Sequence, residues 1–168
     1  MAVGQFSFQI AYMLVALSLM MLLLVTSVST LVQIYSIEYM QGEERFGWYY
    51  AAQSIFAASM LLVVLTDSLL LLYIGWELVG LSSYLLIGFW YEKRSAAEAA
   101  KKAFITTRFG DVGLLIGIIL IYLNTGTFQI HDVLQSISGI ADSTVTIIAA
   151  LLFIGAMGKS AQVPFHIW

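Results

Sequence analysis

Long uncharged stretches alternate with short polar breaks along the 168-residue chain, and the apolar runs are longer than a strand or a buried soluble helix requires. A helix rising about 1.5 Å per residue needs roughly 20 mostly apolar residues to cross the hydrocarbon core of a bilayer. Five windows reach that length, at about residues 10–37, 46–66, 68–91, 103–123 and 143–164. The pattern predicts an all-α, polytopic membrane helix bundle of about five transmembrane helices. The short break at Thr66-Asp67 makes the second and third helices antiparallel neighbours, whereas 124–142 is long enough to hold structure of its own. There Ile130, Val133, Leu134 and Ile137 recur at helical spacing, and Gln129, His131, Asp132 and Gln135 fall off that stripe. A short interfacial helix over about 128–137 is expected, with a plain surface loop as the alternative.

Composition sharpens this picture. The chain is 61% hydrophobic and 10% charged, against about 25% charged in an average soluble domain, which excludes an ordinary soluble fold. Thirteen Gly, one Pro and 14% aromatic residues exclude disordered and collagenous classes. Without cysteine the chain holds no disulfide, thiolate metal site or iron–sulfur cluster of its own. No basic patch follows a phosphate backbone, so nucleic acid is excluded as a partner. Neither a dinucleotide, P-loop nor zinc-protease spacing occurs, so cofactor and metal sites are expected to be none. Trp48, Tyr49, Tyr50, Trp90 and Tyr91 lie near span ends and fit an interfacial aromatic belt.

Orientation follows from Lys and Arg in the short connections, which stay on the cytoplasmic side. Connections 38–47 and 91–102 share one side and hold Arg45, Lys93, Arg94, Lys101 and Lys102. The opposite side, with the N-terminus, Thr66-Asp67 and 124–142, holds none. An inner (plasma) membrane is expected, with 38–47 and 91–102 cytoplasmic and the N-terminus facing the periplasm or its equivalent. The first apolar run lacks a cationic start and is too long for a cleaved signal peptide. A start on the outer side without upstream charge suggests further helices before Met1.

Only Glu77, Arg108, Asp111 and Lys159 carry charge inside the apolar windows. Charges at that depth cost a few kcal/mol each by insertion scales, so they face protein or water and are functional candidates. Glu77 lies about 14 and 21 Å from the ends of its window, near the bilayer centre. Protonation of a buried carboxyl or ammonium depends on where its partner charge sits, which suits a proton relay between Glu77 and Lys159. A static ion pair gluing two helices is the alternative. Gly155, Gly158 and Pro164 bracket Lys159 and predict a helix that breaks where it lines a cavity. Arg108 and Asp111, three apart, share a helix face and either tune the field near a titrating carboxylate or act as packing glue. Thr106, Thr107, Ser82, Ser83, Ser160 and Gln162 could hold a water chain or make interhelical contacts. His166 is a further candidate proton shuttle. Gly113 and Gly117 form a small-xxx-small pair suited to close helix packing.

Four runs stand in order: Tyr35-Ser-Ile-Glu-Tyr-Met40, Gly75-Trp-Glu-Leu-Val-Gly-Leu-Ser-Ser-Tyr-Leu-Leu-Ile-Gly-Phe-Trp90, Lys102-Ala-Phe-Ile-Thr-Thr-Arg-Phe-Gly-Asp111 and Gly158-Lys-Ser-Ala-Gln-Val-Pro-Phe-His-Ile-Trp168. Over nearly the whole chain this resembles the antiporter-like subunit L (subunit 5) of respiratory complex I, the proton-translocating NADH:quinone oxidoreductase. The resemblance implies an antiporter-like first inverted repeat with a discontinuous last helix. It makes Glu77 the family's essential glutamate, Lys159 the lysine on the discontinuous helix, and Arg108 with Asp111 the charged pair beside them. It further implies half of a proton channel driven by quinone reduction in a distant arm, with other membrane subunits of complex I as partners. NADH, FMN, iron–sulfur clusters and quinone would then belong to partner subunits. Compared with that family, the chain reads as a partial antiporter-like transmembrane domain, a fragment truncated at both ends. The connection 124–142 follows none of its motifs. The large subunit of multisubunit cation/proton antiporters, with the same Glu and Lys positions, is the alternative within the class. A structural membrane scaffold with static ion pairs is the alternative outside it.

Overall fold

A computed structural model describes residues 2–3, 6–7 and 10–168. Beyond a short antiparallel pair, β1 (Ala2–Val3) with β2 (Phe6–Ser7), the described chain is helical. The helices are α1 (Ala16–Tyr39), α2 (Phe46–Leu65), α3 (Leu69–Ile87), α4 (Arg94–Thr125), α5 (Ile130–Ser136) and α6 (Asp142–Lys159), with a 3-10 turn Ile137–Gly139 after α5. Of these, α1, α2, α3, α4 and α6 are each long and apolar enough to cross a membrane. Each packs against the next in the series α1, α2, α3, α4 and α6, so α4 stands between α3 and α6.

Three helix limits differ from the apolar windows by five residues or more. Residues 10–15 are apolar but extended, because the backbone there bonds the α2–α3 connection: Met13 N–H donates to Leu65 O at 2.9 Å and Asp67 N–H to Ala11 O at 3.0 Å. The helix begins at Ala16, with Ser18 Oγ accepting the Val15 N–H at 2.8 Å. At the other extreme, α4 starts nine residues before its window, at Arg94. Its first turns read Ser-Ala-Ala-Glu-Ala-Ala-Lys-Lys, rich in strong helix formers, so charge excluded them from an apolar window without opposing helicity. Much of connection 91–102 is therefore helix rather than loop. Finally, α6 ends at Lys159 instead of reaching Pro164, and Ala161 follows with φ +49°.

Close approach of α4 and α6 depends on glycine. A Cβ on Gly110 would stand 3.0 Å from Gly158 Cα, and one on Gly155 would stand 2.8 Å from Leu114 Cβ. Gly113 and Gly117 extend the seam against Ile154 and Leu152, with corresponding distances of 2.9 Å. Gly155 and Gly158 thus lie inside α6 and serve packing as well, and the helix ends at Lys159, between Gly158 and Pro164, where their bracketing of Lys159 predicts an interruption.

The connections gather at two ends. At one, Arg45 pairs with Glu92 at 2.9 Å, Trp90 Nε1 donates to Glu43 Oε1 at 3.1 Å, and Trp48, Tyr49, Phe89 and Trp90 pack their rings together. At the other, Leu69 N–H donates to Phe128 O at 2.8 Å, Ile130 N–H to Asp67 O at 2.8 Å and His131 N–H to Asp67 Oδ1 at 3.1 Å. There α5 seats Val133 against Ile121 and Ile148, but leaves Leu134 62% exposed. The half-turned stripe fits a short helix with an outward apolar edge.

Candidate functional site

Glu77, Arg108, Asp111 and Lys159 come from three helices and meet in one line. Glu77 and Gly80 share a face of α3 one turn apart, as Arg108 and Asp111 do on α4. Lys159 closes α6, where a cation is favoured by the carbonyl end of the helix. Arg108 Nη1 forms an ion pair with Glu77 Oε2, and its Nη2 donates to the Glu77 backbone carbonyl at 3.2 Å. The same Nη1 stands 3.8 Å from Asp111 Oδ2, which is 4.0 Å from Lys159 Nζ. The series Glu77, Arg108, Asp111, Lys159 alternates in charge and sums to zero.

Room for this line is made at Gly80. A Cβ there would stand 2.5 Å from Lys159 Nζ and 3.1 Å from Arg108 Nη2, so two cations pass where any larger residue would project. Phe104 lies under the Arg108 guanidinium at 4.4 Å, and Trp76 lies 5.7 Å from Lys159 Nζ. Asp111 is 1% exposed, and Trp76 Nε1 donates to its Oδ1 at 2.7 Å. Asp111 Oδ2, Lys159 Nζ and Arg108 Nε are buried without a hydrogen-bond partner among the described residues. A charge-charge separation of about 4 Å holds Lys159 near Asp111 without a formed hydrogen bond, so a small displacement makes or breaks the contact.

Of the neutral groups, Ser82, Ser83 and Thr107 donate their hydrogens within their own helices. Ser82 and Ser83 donate to Leu78 O and Val79 O at 2.7 and 2.8 Å, and Thr107 donates to Phe104 O at 3.0 Å. Their hydrogens are committed to their own helices, which leaves oxygen lone pairs. Ser83, Thr107, Lys159 and Trp168 line a cavity of about 30 Å³, room for roughly two waters. Thr106 is buried on α4, while Ser160 and Gln162 are exposed past the end of α6. His166 is exposed on that same segment and does not join the ion-pair line among the described residues. Trp76 and Gly80 escaped a search for buried charge. Their signal was positional: Trp76 adjoins Glu77, and Gly80 lies one turn beyond it.

Residues 66–168 match the family described as NADH:quinone oxidoreductase/Mrp antiporter, TM, which accounts for more than half of the chain. The chain belongs to this antiporter-like transmembrane family. Residues 1–50 match a second family, described as NADH-Ubiquinone oxidoreductase (complex I), chain 5 N-terminus. Relatives include NAD(P)H-quinone oxidoreductase chain 5 of Synechocystis sp., 45% identical over 98% of this chain and 25% of the relative. The chloroplastic subunit 5 of Cryptomeria japonica is 46% identical over 98% of this chain and 23% of its own length. The chain thus spans about a quarter of the length of these curated relatives. Among solved structures, one of the Mrp complex from Dietzia sp. superposes with a TM-score of 0.84 at 27% identity, covering 95% of this chain and 19% of that one. Membership of this family accounts for the all-helical bundle.

Proposed function

We propose that the chain is part of membrane subunit 5 of an NAD(P)H-quinone oxidoreductase of the complex I kind. In this reading it moves protons along Glu77, Arg108, Asp111 and Lys159, driven by quinone reduction in partner subunits. The observation that carries the proposal is the alternating line of ions across α3, α4 and α6, with Asp111 Oδ2 and Lys159 Nζ buried and unbonded. Ionisable residues this deep in apolar helices mark proton and ion pathways, so an alternating set that runs across three helices favours a relay over glue.

Protonating Glu77 removes the charge that holds Arg108. The guanidinium then turns toward Asp111, its next acceptor at 3.8 Å. Asp111 is thereby drawn from Lys159, whose ammonium loses its carboxylate and passes its proton on. Gln at position 77 keeps shape and hydrogen bonding but cannot ionise. In vesicles carrying the assembled full-length complex, Glu77→Gln is expected to abolish proton pumping at unchanged assembly. Unchanged pumping refutes the relay and leaves the scaffold reading.

A large subunit of a multisubunit cation/proton antiporter is the second reading, favoured by the superposition on the Mrp complex. The 45–46% identities to subunit 5 sequences, against 27% to that structure, support the first. Reading the basic end as cytoplasmic agrees with the pairing of the two connections through Arg45 and Glu92, which keeps them on one side. Other membrane subunits and lipid would cover the outward apolar faces. Leu17, Met20, Leu23 and Leu31 of α1, all at least 66% exposed, form part of that surface.

A further inference from the structure

Trp76 adjoins Glu77 in sequence but serves a different member of the line. Its indole N–H donates to Asp111 Oδ1 at 2.7 Å, the one hydrogen bond to this carboxylate among the described residues. The other oxygen, Oδ2, stands between Arg108 Nη1 at 3.8 Å and Lys159 Nζ at 4.0 Å. Asp111 therefore has a bonded oxygen and a shared one. We propose that Trp76 is a positioning residue that pins Asp111 through Oδ1 and so keeps Oδ2 poised between two cations.

The physical reason lies in the carboxylate rotor. The terminal torsion of Asp is broad and roughly two-fold, so packing alone fixes it poorly. Charge-assisted hydrogen bonds form at about 2.7–2.9 Å, well inside both present distances. An Asp111 free to swing would close that gap to one cation and hold it, taking the carboxylate out of exchange. A donor on Oδ1 opposes the swing without adding charge. Trp suits the position because its N–H donates and never accepts, so it cannot compete for the migrating proton. Its ring also lies 5.7 Å from Lys159 Nζ, which ties the ammonium to the same residue.

This inference rests on the proton-relay reading, and the test separates the two. The rate of proton pumping is measured in vesicles carrying the assembled complex with Trp76→Phe, with benzothienylalanine placed at position 76, and with Asp111→Asn. Benzothienylalanine keeps the ring shape and replaces N–H by sulfur. Both position-76 variants are expected to pump about tenfold more slowly, the scale of a lost hydrogen bond to a charged group. Tryptophan inserted by the same suppression route restores the rate. Normal pumping with benzothienylalanine overturns the inference and leaves the relay standing. Normal pumping by Asp111→Asn itself overturns the relay at Asp111, and the role of Trp76 with it. Should Trp76→Phe fail to assemble, the isosteric variant alone decides.

Discussion

Replacing Gly110 by alanine tests whether the line of ions depends on how closely α4 approaches α6. The new Cβ would stand 3.0 Å from Gly158 Cα and 3.0 Å from Ile154 O, both backbone atoms. Carbon atoms rest at about 3.5–4.0 Å, so the helices must separate by roughly 0.5–1 Å. Backbone on both sides means no side chain can rotate away. Overpacking of this kind costs about 1–3 kcal/mol, and gaps of that size forfeit a quarter to a half of each dispersion contact along the seam. We expect a loss near 2 kcal/mol, a few degrees in the temperature at which the subunit leaves the assembled complex on native gels. Gly113→Ala should cost a comparable amount, because its Cβ would meet Ile154 Cγ2 at 2.9 Å, Ile154 Cβ at 3.1 Å and the Leu151 backbone oxygen at 3.2 Å, and a β-branched side chain in a helix is stiff. Gly47→Ala and Gly139→Ala, with nothing within 4 Å, serve as controls. Pumping by Gly110→Ala should fall as well, since separation widens the 4.0 Å gap between Asp111 and Lys159. A melting profile for Gly110→Ala that coincides with wild type and with both controls would refute the reasoning.

Two further outcomes follow from the charge arrangement. Arg108→Leu strands Glu77 beside a carboxylate-lined seam, which should cost about 3–5 kcal/mol and sharply reduce assembly; adding Glu77→Gln should recover assembly but not pumping, as read by native gels and vesicle acidification, and failure of the double variant to assemble contradicts it. At the basic end, the Glu92 carboxyl is held below its ordinary range by a hydrogen bond at its own backbone, with Arg45 adding to the effect. A lowered carboxylate stabilises above the ordinary range and loses that contribution as pH falls through the lowered value. Glu92→Gln should therefore flatten the acid-side decline of the melting temperature slightly, and molar salt should shrink only the part of the difference that Arg45 supplies, leaving the part due to the backbone hydrogen bond. An acid-side decline that is unchanged by Glu92→Gln rejects this account.

Much of the site was readable from residues alone. Charge is so costly in an apolar helix that Glu77, Arg108, Asp111 and Lys159 stood out without coordinates. Their order of contact did not. Spacing pairs Arg108 with Asp111 within α4, but only packing brings Glu77 to Arg108 and leaves Asp111 to Lys159. Trp76 was hidden because an aromatic residue in an apolar helix carries no cost that marks it. Gly155 and Gly158 marked the end of α6 at Lys159, but their close contacts with Leu114 and Gly110 were not legible, since the same residue type serves a helix end and a close helix contact.

By itself the sequence determined how many segments can cross a membrane, which residues carry costly charge there, and which connections share a side. These follow from transfer free energy and helix rise, quantities summed along the chain. Tertiary structure decided where helices begin and end, which oxygen of Asp111 is bonded, and which glycine admits which neighbour. Those depend on contacts between segments far apart in sequence: Ala11 with Asp67, Trp76 with Asp111 and Gly110 with Gly158. A sum along the chain cannot contain them, because each exists only once two helices have met.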